Sequence, residues 1–387
     1  MSQSFFVQIT PGLEEIVKAE LKTFQVRKLK TQVGAVTFEG TRKHLYRVLQ
    51  WSRCAHRVYW TLGTWSAPQQ EALYQKAMRV AWDQILPNQC QIAIKSVVTH
   101  SPQTSATQAK ELVWHAISKG YPQLQCTQVE WNTTPHSNQS QVQRILVYIQ
   151  HNRLTLRIDA AGGLMHKRGW RQSDGLAPLR PTLVACILRL IEWKPDIPLI
   201  DPMCGSGTWS VEALQQSLKK TPRLWTNYPC QRWKNFDTAL WHAATSWCLD
   251  SDHSILSHTP IYPSDLNMNM VQITDQHIKK IAPSHHTLHV RQLDIHQLIT
   301  QSPPCESVGY LVINPPYQIR IKSNFKLIPW ILKFLQQPKW YLWTLIMVIP
   351  HEWTSDIIRH FTANHLAQFK HGGRSVSVIS IQNQSNV

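Results

Sequence analysis

Asn314-Pro315-Pro316-Tyr317 follows directly on the apolar run "GYLVI". A strand cannot continue through it. Each proline lacks a backbone donor and fixes its own φ, and the residue before a proline is held extended. The result is a stiff turn at a strand end, carrying an amide and an aromatic ring. Such a turn suits an exocyclic amine on a planar base, whose lone pair is spread into the ring and is a poor nucleophile. The Asn314 side-chain oxygen and a main-chain carbonyl can accept both amine hydrogens and draw that pair out of conjugation. The prolines fix those acceptors before reaction, and Tyr317 can stack on the base face. Alone, the tetrapeptide also reads as a proline-rich strand exit. Three further strand ends weigh against that reading.

The first is Asp201-Pro202-Met203-Cys204-Gly205-Ser206-Gly207-Thr208, a strand running into a glycine-rich loop and then a helix. Glycines let the backbone approach a ligand, and a helix N-terminus presents free N–H groups. The loop lacks the Lys of a phosphate-binding loop, which disfavours a nucleoside triphosphate. The second is Asp265 after "IYPS", placed to take ribose hydroxyls. The third is Asp294 in "RQLD", suited to accept from an adenine amine. Ligands of a doubly wound sheet bind beyond the carboxyl ends of its strands, so the joint placement of these groups outweighs each one singly.

The elements that must position them alternate along the chain. "FFVQIT" reads as a strand and "TPGLEEIVKAELKTF" as a helix, with Thr10 as N-cap, Pro11 in the first turn and Glu14 and Glu15 near the positive end. "GAVTFEG", "TRKHLYRVLQWS" and "RVYWTLGTW" continue as strand, helix and strand. Between about residues 70 and 160, two helices alternate with strands, ending in "RILVYIQHNRLTLRID" as two strands around a His-Asn turn. From about residue 181 the units lengthen into a parallel doubly wound pattern. The Trp-rich stretch 224–260 offers "QRWKNFDTALWHAA" as its one clear helix.

The 387 residues carry a net charge of +17, and residues 1–180 hold 22 Lys and Arg against 10 Asp and Glu. A basic front half favours a polyanionic partner, nucleic acid before a membrane surface. Lys110, Lys119, Arg144, Arg153 and Arg157 are candidates to face a phosphate backbone. The eight cysteines form no C-x-x-C pair, which fits a reducing cytoplasm and no metal centre. No signal peptide or membrane-spanning run is visible.

The motifs together resemble a known family. Asp201-Pro-x-Cys-Gly-Ser-Gly-Thr208 with Asn314-Pro-Pro-Tyr317 is similar to the class I, S-adenosylmethionine-dependent amino-methyltransferases. "MHKRGWRQSDGLAPLRPTL" (residues 165–183), "ITPGLEEIVKAEL", "LYRVLQWSRCAHRVYW" and "QRWKNFDTALW" resemble segments of the THUMP-domain RNA guanine-N2 methyltransferases. The likeness covers nearly the whole chain. It implies an α/β protein in three parts: a ferredoxin-like α+β domain (1–65), a THUMP α+β RNA-binding domain (66–160) and a Rossmann-like methyltransferase domain with a mostly parallel sheet (161–387). It implies that Asp201, Cys204, Gly205, Gly207, Thr208, Asp265 and Asp294 bind S-adenosylmethionine. Asn314, Pro315, Pro316 and Tyr317 would be the catalytic group, and Lys167, Arg168, Arg171 and Arg320 would lie near RNA. The implied protein is a cytoplasmic monomer without a metal, methylating guanosine N2, most simply in 23S rRNA.

Three departures from the family pattern stand out. Gln318-Ile319-Arg320 replaces "G-E-R" after the tetrapeptide. Asp265-Leu266-Asn267-Met268 keeps one acid of "D-x-D-P". The "A-x-x-N" helix expected next is missing from "MVQITDQHIKK". The rival readings are a tRNA guanine-N2 methyltransferase, a DNA adenine-N6 methyltransferase and a non-catalytic RNA-binding assembly factor.

Overall fold

Phe5 and Val7 of the first strand are fully buried, and that strand is paired on both sides. It lies inside a sheet that organises the front of the chain. The structure is a computed structural model and describes residues 2–133, 142–171, 179–224, 227–247, 260–283, 288–315 and 327–383. It divides into two compact units: residues 1–9, 18–165 and 225–250 form the first, and residues 10–17, 166–224 and 251–387 the second.

The first unit carries β1 (Gln3–Gln8), β2 (Arg27–Gln32), β3 (Ala35–Gly40), β4 (Arg57–Ser66), β5 (Gln89–Thr99), β6 (Gln125–Val129), β7 (Val142–Gln150) and β8 (Arg153–Asp159). They form one eight-stranded sheet in the order β2-β3-β1-β4-β8-β7-β5-β6. The β1–β4 portion has the helix-strand-strand-helix order expected of the ferredoxin-like fold. β4 pairs antiparallel with β8, from Tyr59↔Asp159 to Ser66↔Arg153. That pairing makes one sheet of the two front segments. β5 runs parallel to both β6 and β7, with the helix Ala106–Ser118 between β5 and β6. Its N-cap Ser105 accepts from the Gln108 N–H, and the Gln108 side chain returns the bond, a reciprocal cap.

The Trp-rich stretch belongs to this first unit. Trp233 Nε1 donates to Gln143 Oε1 at 2.7 Å and Trp51 Nε1 donates to the Ala244 carbonyl at 2.8 Å. The Trp241 ring packs against Tyr46 and Tyr228. The single helix expected over "QRWKNFDTALWHAA" is instead a short 3-10 turn, Pro229–Arg232, and a helix, Thr238–Ser246. Asp237 makes the break. Its carboxylate accepts from the Leu240 N–H at 2.9 Å, a cap that starts a new helix.

Two of the cations expected to face phosphate do not. Arg144 donates to the carbonyls of Trp131, Gly162 and Thr133. Arg157 stacks its guanidinium 3.8 Å from the Phe6 ring centroid, and burial lowers its pKa to about 10. Both serve the fold, whereas Lys119 and Arg153 are exposed.

The second unit carries β9 (Leu199–Asp201), β10 (Ile261–Asp265), β11 (Arg291–Gln292), β12 (Gly309–Ile313), β13 (Trp343–Pro350), β14 (Ala363–His371) and β15 (Arg374–Gln382). Their order is β11-β10-β9-β12-β13-β15-β14. The first five are parallel; β15 pairs antiparallel with β13, and β14 pairs antiparallel with β15. This is the mostly parallel, Rossmann-like sheet expected. One face packs Leu311, Ile313, Leu345 and Met347 against Trp330, Phe334, Trp340 and Trp343. The sheet's direction of winding reverses between β9 and β12. That reversal opens a crevice at the carboxyl ends of the two strands.

Arg168 and Glu212 cross-link this unit internally. Arg168 Nε donates to Glu212 Oε1 at 2.9 Å and Nη2 donates to Oε2 at 3.3 Å, with both side chains fully buried. Arg168 is therefore enclosed by its own unit and is not offered to RNA, contrary to expectation. Glu212→Ala would remove the carboxylate with which this buried cation is paired. The expected loss is roughly 3–5 kcal/mol, read from urea denaturation followed by circular dichroism.

Candidate active site

β9 ends at Asp201, β10 at Asp265 and β12 one residue before Asn314, while Asp294 follows β11 by two residues. The four strands are neighbours and parallel, so these groups stand along one edge of the sheet. The loop after β9 and Asn314 flank the crevice.

Asp201 lies at the base. It is 1 % exposed, and its Oδ2 accepts from the Ser210 hydroxyl at 2.9 Å. This bond fastens the strand end to the helix Thr208–Ser217. Burial raises the Asp201 pKa to about 7; the Ser210 hydroxyl opposes that rise and the Asp265 charge adds to it.

The loop itself is gripped from two sides. From β10, Asp265 Oδ2 accepts the Gly205 N–H at 2.8 Å and Oδ1 accepts the Asn267 N–H at 2.9 Å. Each carboxylate oxygen keeps a further lone pair, so Asp265 can still take hydroxyls. From the helix Met268–Ile281, Thr274 Oγ1 donates to the Gly205 carbonyl at 2.8 Å. His277 Nδ1 lies 3.0 Å from the Ser206 carbonyl. A carbonyl only accepts, so Nδ1 carries the proton. The helix expected to be missing after Asp265 is present, capped by Asn267, whose Oδ1 accepts from the Asn269 N–H. Thr274-x-x-His277 has the same three-residue spacing as "A-x-x-N", which puts both side chains on one helical face.

Gly207 must be glycine twice over. Its φ is +77°, and a Cβ would sit 2.6 Å from Thr274 Cγ2. Gly205 also has a positive φ, of +52°, but a Cβ there would meet nothing within 4 Å. Its side is open. Cys204 is buried beneath the loop, 3.6 Å from Thr274 Oγ1, and burial pushes its thiol pKa well up. It remains protonated and acts as packing. Thr208 starts the helix and its Oγ1 accepts from Arg171 Nη2 at 2.6 Å. Arg171 also lies over the Trp170 ring, 5.1 Å from its centroid. It is tied to the loop, not projected as an RNA contact. Asp294 caps the short helix Ile295–Leu298 through Oδ1, which accepts from the His296 N–H at 2.8 Å.

Asn314 and Pro315 are described; Pro316, Tyr317 and Arg320 lie outside the described residues. Among the described residues, Asn314 Oδ1 is buried without a hydrogen-bond partner, as are Ser206 Oγ and Trp209 Nε1. Buried polar atoms of this kind cost free energy unless something satisfies them. These three occur in the loop after β9, at the start of its helix, and just after β12. Lys167 is exposed. Among the described residues, no group of three or more His, Cys, Asp or Glu is placed to hold a metal. No helix among them is long and apolar enough to cross a membrane.

Two domain-family models match parts of the chain. Residues 168–352 match the model of the RMKL-like methyltransferase domain, and residues 4–59 match the RlmL ferredoxin-like domain. The chain is 29% identical over 326 residues to "Putative RNA methyltransferase slr0064" of Synechocystis sp., covering 83% of this chain and 81% of the relative. It is 30% identical over 339 residues to the ribosomal RNA large subunit methyltransferase K/L of Alteromonas mediterranea, covering 84% of this chain and 46% of the relative. The match thus spans about half of that longer protein. The fold is shared with SMU.472, a putative methyltransferase complexed with SAH: the TM-score is 0.80 at 20% identity, over 100% of this chain and 99% of that one.

Two outcomes test the site's construction. Gly207→Ala should cost about 1–2 kcal/mol from its left-handed backbone alone, and more from the Thr274 contact. Adding Thr274→Ala should recover the second part, a non-additivity that a double-mutant cycle in urea measures. Asp201 titrates near 4 when unfolded and at about 7 when folded, so the folded state binds the extra proton. Its contribution is fully present below pH 4 and is lost as pH rises through 7. Asp201→Asn should therefore gain on the parent protein between pH 4 and 8. The gain is on the order of 3–4 kcal/mol, read from melting temperatures across that range.

Proposed function

We propose that the chain, whose residues 4–59 match the RlmL ferredoxin-like domain and residues 168–352 the RMKL-like methyltransferase domain, is an S-adenosylmethionine-dependent RNA methyltransferase. The target is the exocyclic N2 amine of a guanosine, in 23S rRNA. The carrying observation is Asn314: one residue past β12, beside the crevice, with a buried Oδ1 that lacks a partner among the described residues. An acceptor held in wait is what an amine donor requires. The names of the curated relatives support RNA and rRNA as substrates, and the SAH-bound neighbour supports the cofactor.

The residues present fit that cofactor. Gly205 offers an unobstructed side, Asp265 retains acceptor capacity for ribose hydroxyls, and Asp294 lies two residues past the neighbouring strand β11. When bound, S-adenosylmethionine supplies an electrophilic methyl group on a sulfonium. The chain's own work is alignment. Asn314 Oδ1 accepts one N2 hydrogen and localises the nitrogen lone pair. Pro315 keeps that acceptor fixed, so little reorganisation accompanies the reaction. Pro316 and Tyr317 are proposed to complete the turn and stack on the base. Holding the amine in line with the cofactor loop supplies the remaining advantage through proximity. The proton leaves the amine for solvent after transfer.

Residues 66–160 are proposed as a THUMP domain that binds structured RNA through shape and phosphate contacts. Exposed Lys119 and Arg153 are suited to such contacts. Lys167 and Arg320 remain proposed RNA contacts. We further propose a cytoplasmic monomer. The guanosine must leave its stack to reach Asn314.

The test is incubation with labelled S-adenosylmethionine and unmodified 23S rRNA, tRNA or duplex DNA, followed by nucleoside mass spectrometry. N2-methylguanosine in 23S rRNA is expected. Asn314→Ala should lower turnover about 10²–10³-fold while binding of S-adenosylhomocysteine is kept. N2-methylguanosine in tRNA alone would move the substrate. N6-methyladenine in DNA, or RNA binding without methylation of any substrate, would overturn the reading.

A further inference from the structure

Two thiols face each other on adjacent strands of the first unit. Cys90 of β5 and Cys126 of β6 are direct partners in the parallel register, and their sulfurs are 3.1 Å apart. Both cysteines are free and half-buried, whereas Cys54, Cys186, Cys204 and Cys230 are buried. We propose that Cys90 and Cys126 form an oxidisable pair, which a small disulfide such as oxidised glutathione converts into an intramolecular disulfide.

The geometry is close to that of the product. Paired strands lie about 4.7–4.9 Å apart, inside the roughly 4.4–6.8 Å window of Cα separations that a disulfide spans. Bond formation asks the sulfurs to close by about 1 Å, which side-chain rotation supplies. The pair is also asymmetric. A hydrogen bond from Cys90 lowers the Cys126 pKa, and that same sharing raises Cys90. Arg232 lies near Cys90, lining a small cavity with Pro87, Gln143 and Pro229, and its charge favours a thiolate there.

Those roles define the chemistry. The Cys126 thiolate attacks one sulfur of the oxidised glutathione, forming a mixed disulfide and expelling one glutathione thiolate. Cys90 then loses its proton to solvent, attacks the Cys126 sulfur and expels the second glutathione thiolate. Two protein thiols are oxidised and one external disulfide is reduced to two thiols.

The bond would have a mechanical effect. Among the described residues, β6 is an edge strand of the eight-stranded sheet and pairs only with β5. The helix Ala106–Ser118 lies between the two cysteines in the chain. A disulfide closes the β5-helix-β6 unit covalently and stops β6 from peeling away.

The test is exposure of the full chain to oxidised glutathione, followed by thiol counting and peptide mapping. Loss of two thiols is expected, with Cys90 and Cys126 peptides linked and a mass lower by two hydrogens. Cys126 should be consumed at least about tenfold faster than half-buried Cys305, since a partner thiol both activates and resolves it. Cys90→Ser should stop at a mixed disulfide on Cys126. Wild-type protein that keeps both thiols, or that accumulates glutathione on Cys126 without cross-linking, would overturn the proposal. Either result is read on the wild type, so it does not depend on how well a variant folds.

Discussion

The loop after β9 has its shape because β10 and the helix behind it bond to its backbone. Asp265 accepts the Gly205 N–H, the Thr274 hydroxyl donates to the Gly205 carbonyl and His277 Nδ1 donates to the Ser206 carbonyl. Gly207 then turns left-handed against the Thr274 methyl. No single bond here is strong, since a typical hydrogen bond contributes about 1 kcal/mol net. Their joint effect is to remove the loop's freedom before any ligand arrives. A ligand that enters such a loop does not bear the cost of ordering it. The site is therefore set by β10 and the helix behind it as much as by the glycines.

Buried charge is the counterweight. Asp201 is enclosed with one hydroxyl partner, and burial holds its pKa at about 7. Arg168 and Glu212 are enclosed too, but as a two-bond ion pair. The same helix, Thr208–Ser217, carries Ser210 and Glu212. It is thus tied by one bond to the strand end and by two to Arg168. Thr208 adds a third tie, to Arg171. A helix N-terminus so anchored cannot drift from the sheet edge.

Local sequence signals carried much of this arrangement. The strand-acid pattern at Asp201, Asp265 and Asp294, and the stiff Asn314-Pro315 exit, place their residues on neighbouring strand ends. Turn and cap chemistry is local, so it can be read from a few residues. What stayed hidden depends on distant partners. Thr274 and His277 look like ordinary helix residues until the carbonyls of Gly205 and Ser206 are set beside them; their three-residue spacing was the only hint. Arg168 and Arg171 read as surface cations because nothing nearby in sequence announces Glu212 or the Thr208 hydroxyl. Arg144 and Arg157 misled for the same reason. In "QRWKNFDTALWHAA", helical periodicity outweighed the capping tendency of Asp237, which prevailed.

The Trp-rich segment between β9 and β10 has one more effect. Residues 225–250 complete the first unit, yet the 166–224 stretch of the second unit precedes them in the chain. Tyr228, Trp233 and Trp241 are core residues that arrive late. During synthesis, the front of the chain must wait for them while 59 intervening residues are added, roughly 3–12 s at ordinary elongation rates. Through that interval Leu49, Gln50 and Trp51 lack the partners that Tyr228, Trp241 and Ala244 later provide. The nascent front half is thus an incomplete body, and the order of translation makes its final closure depend on chain that lies, by position, between two stretches of the second unit.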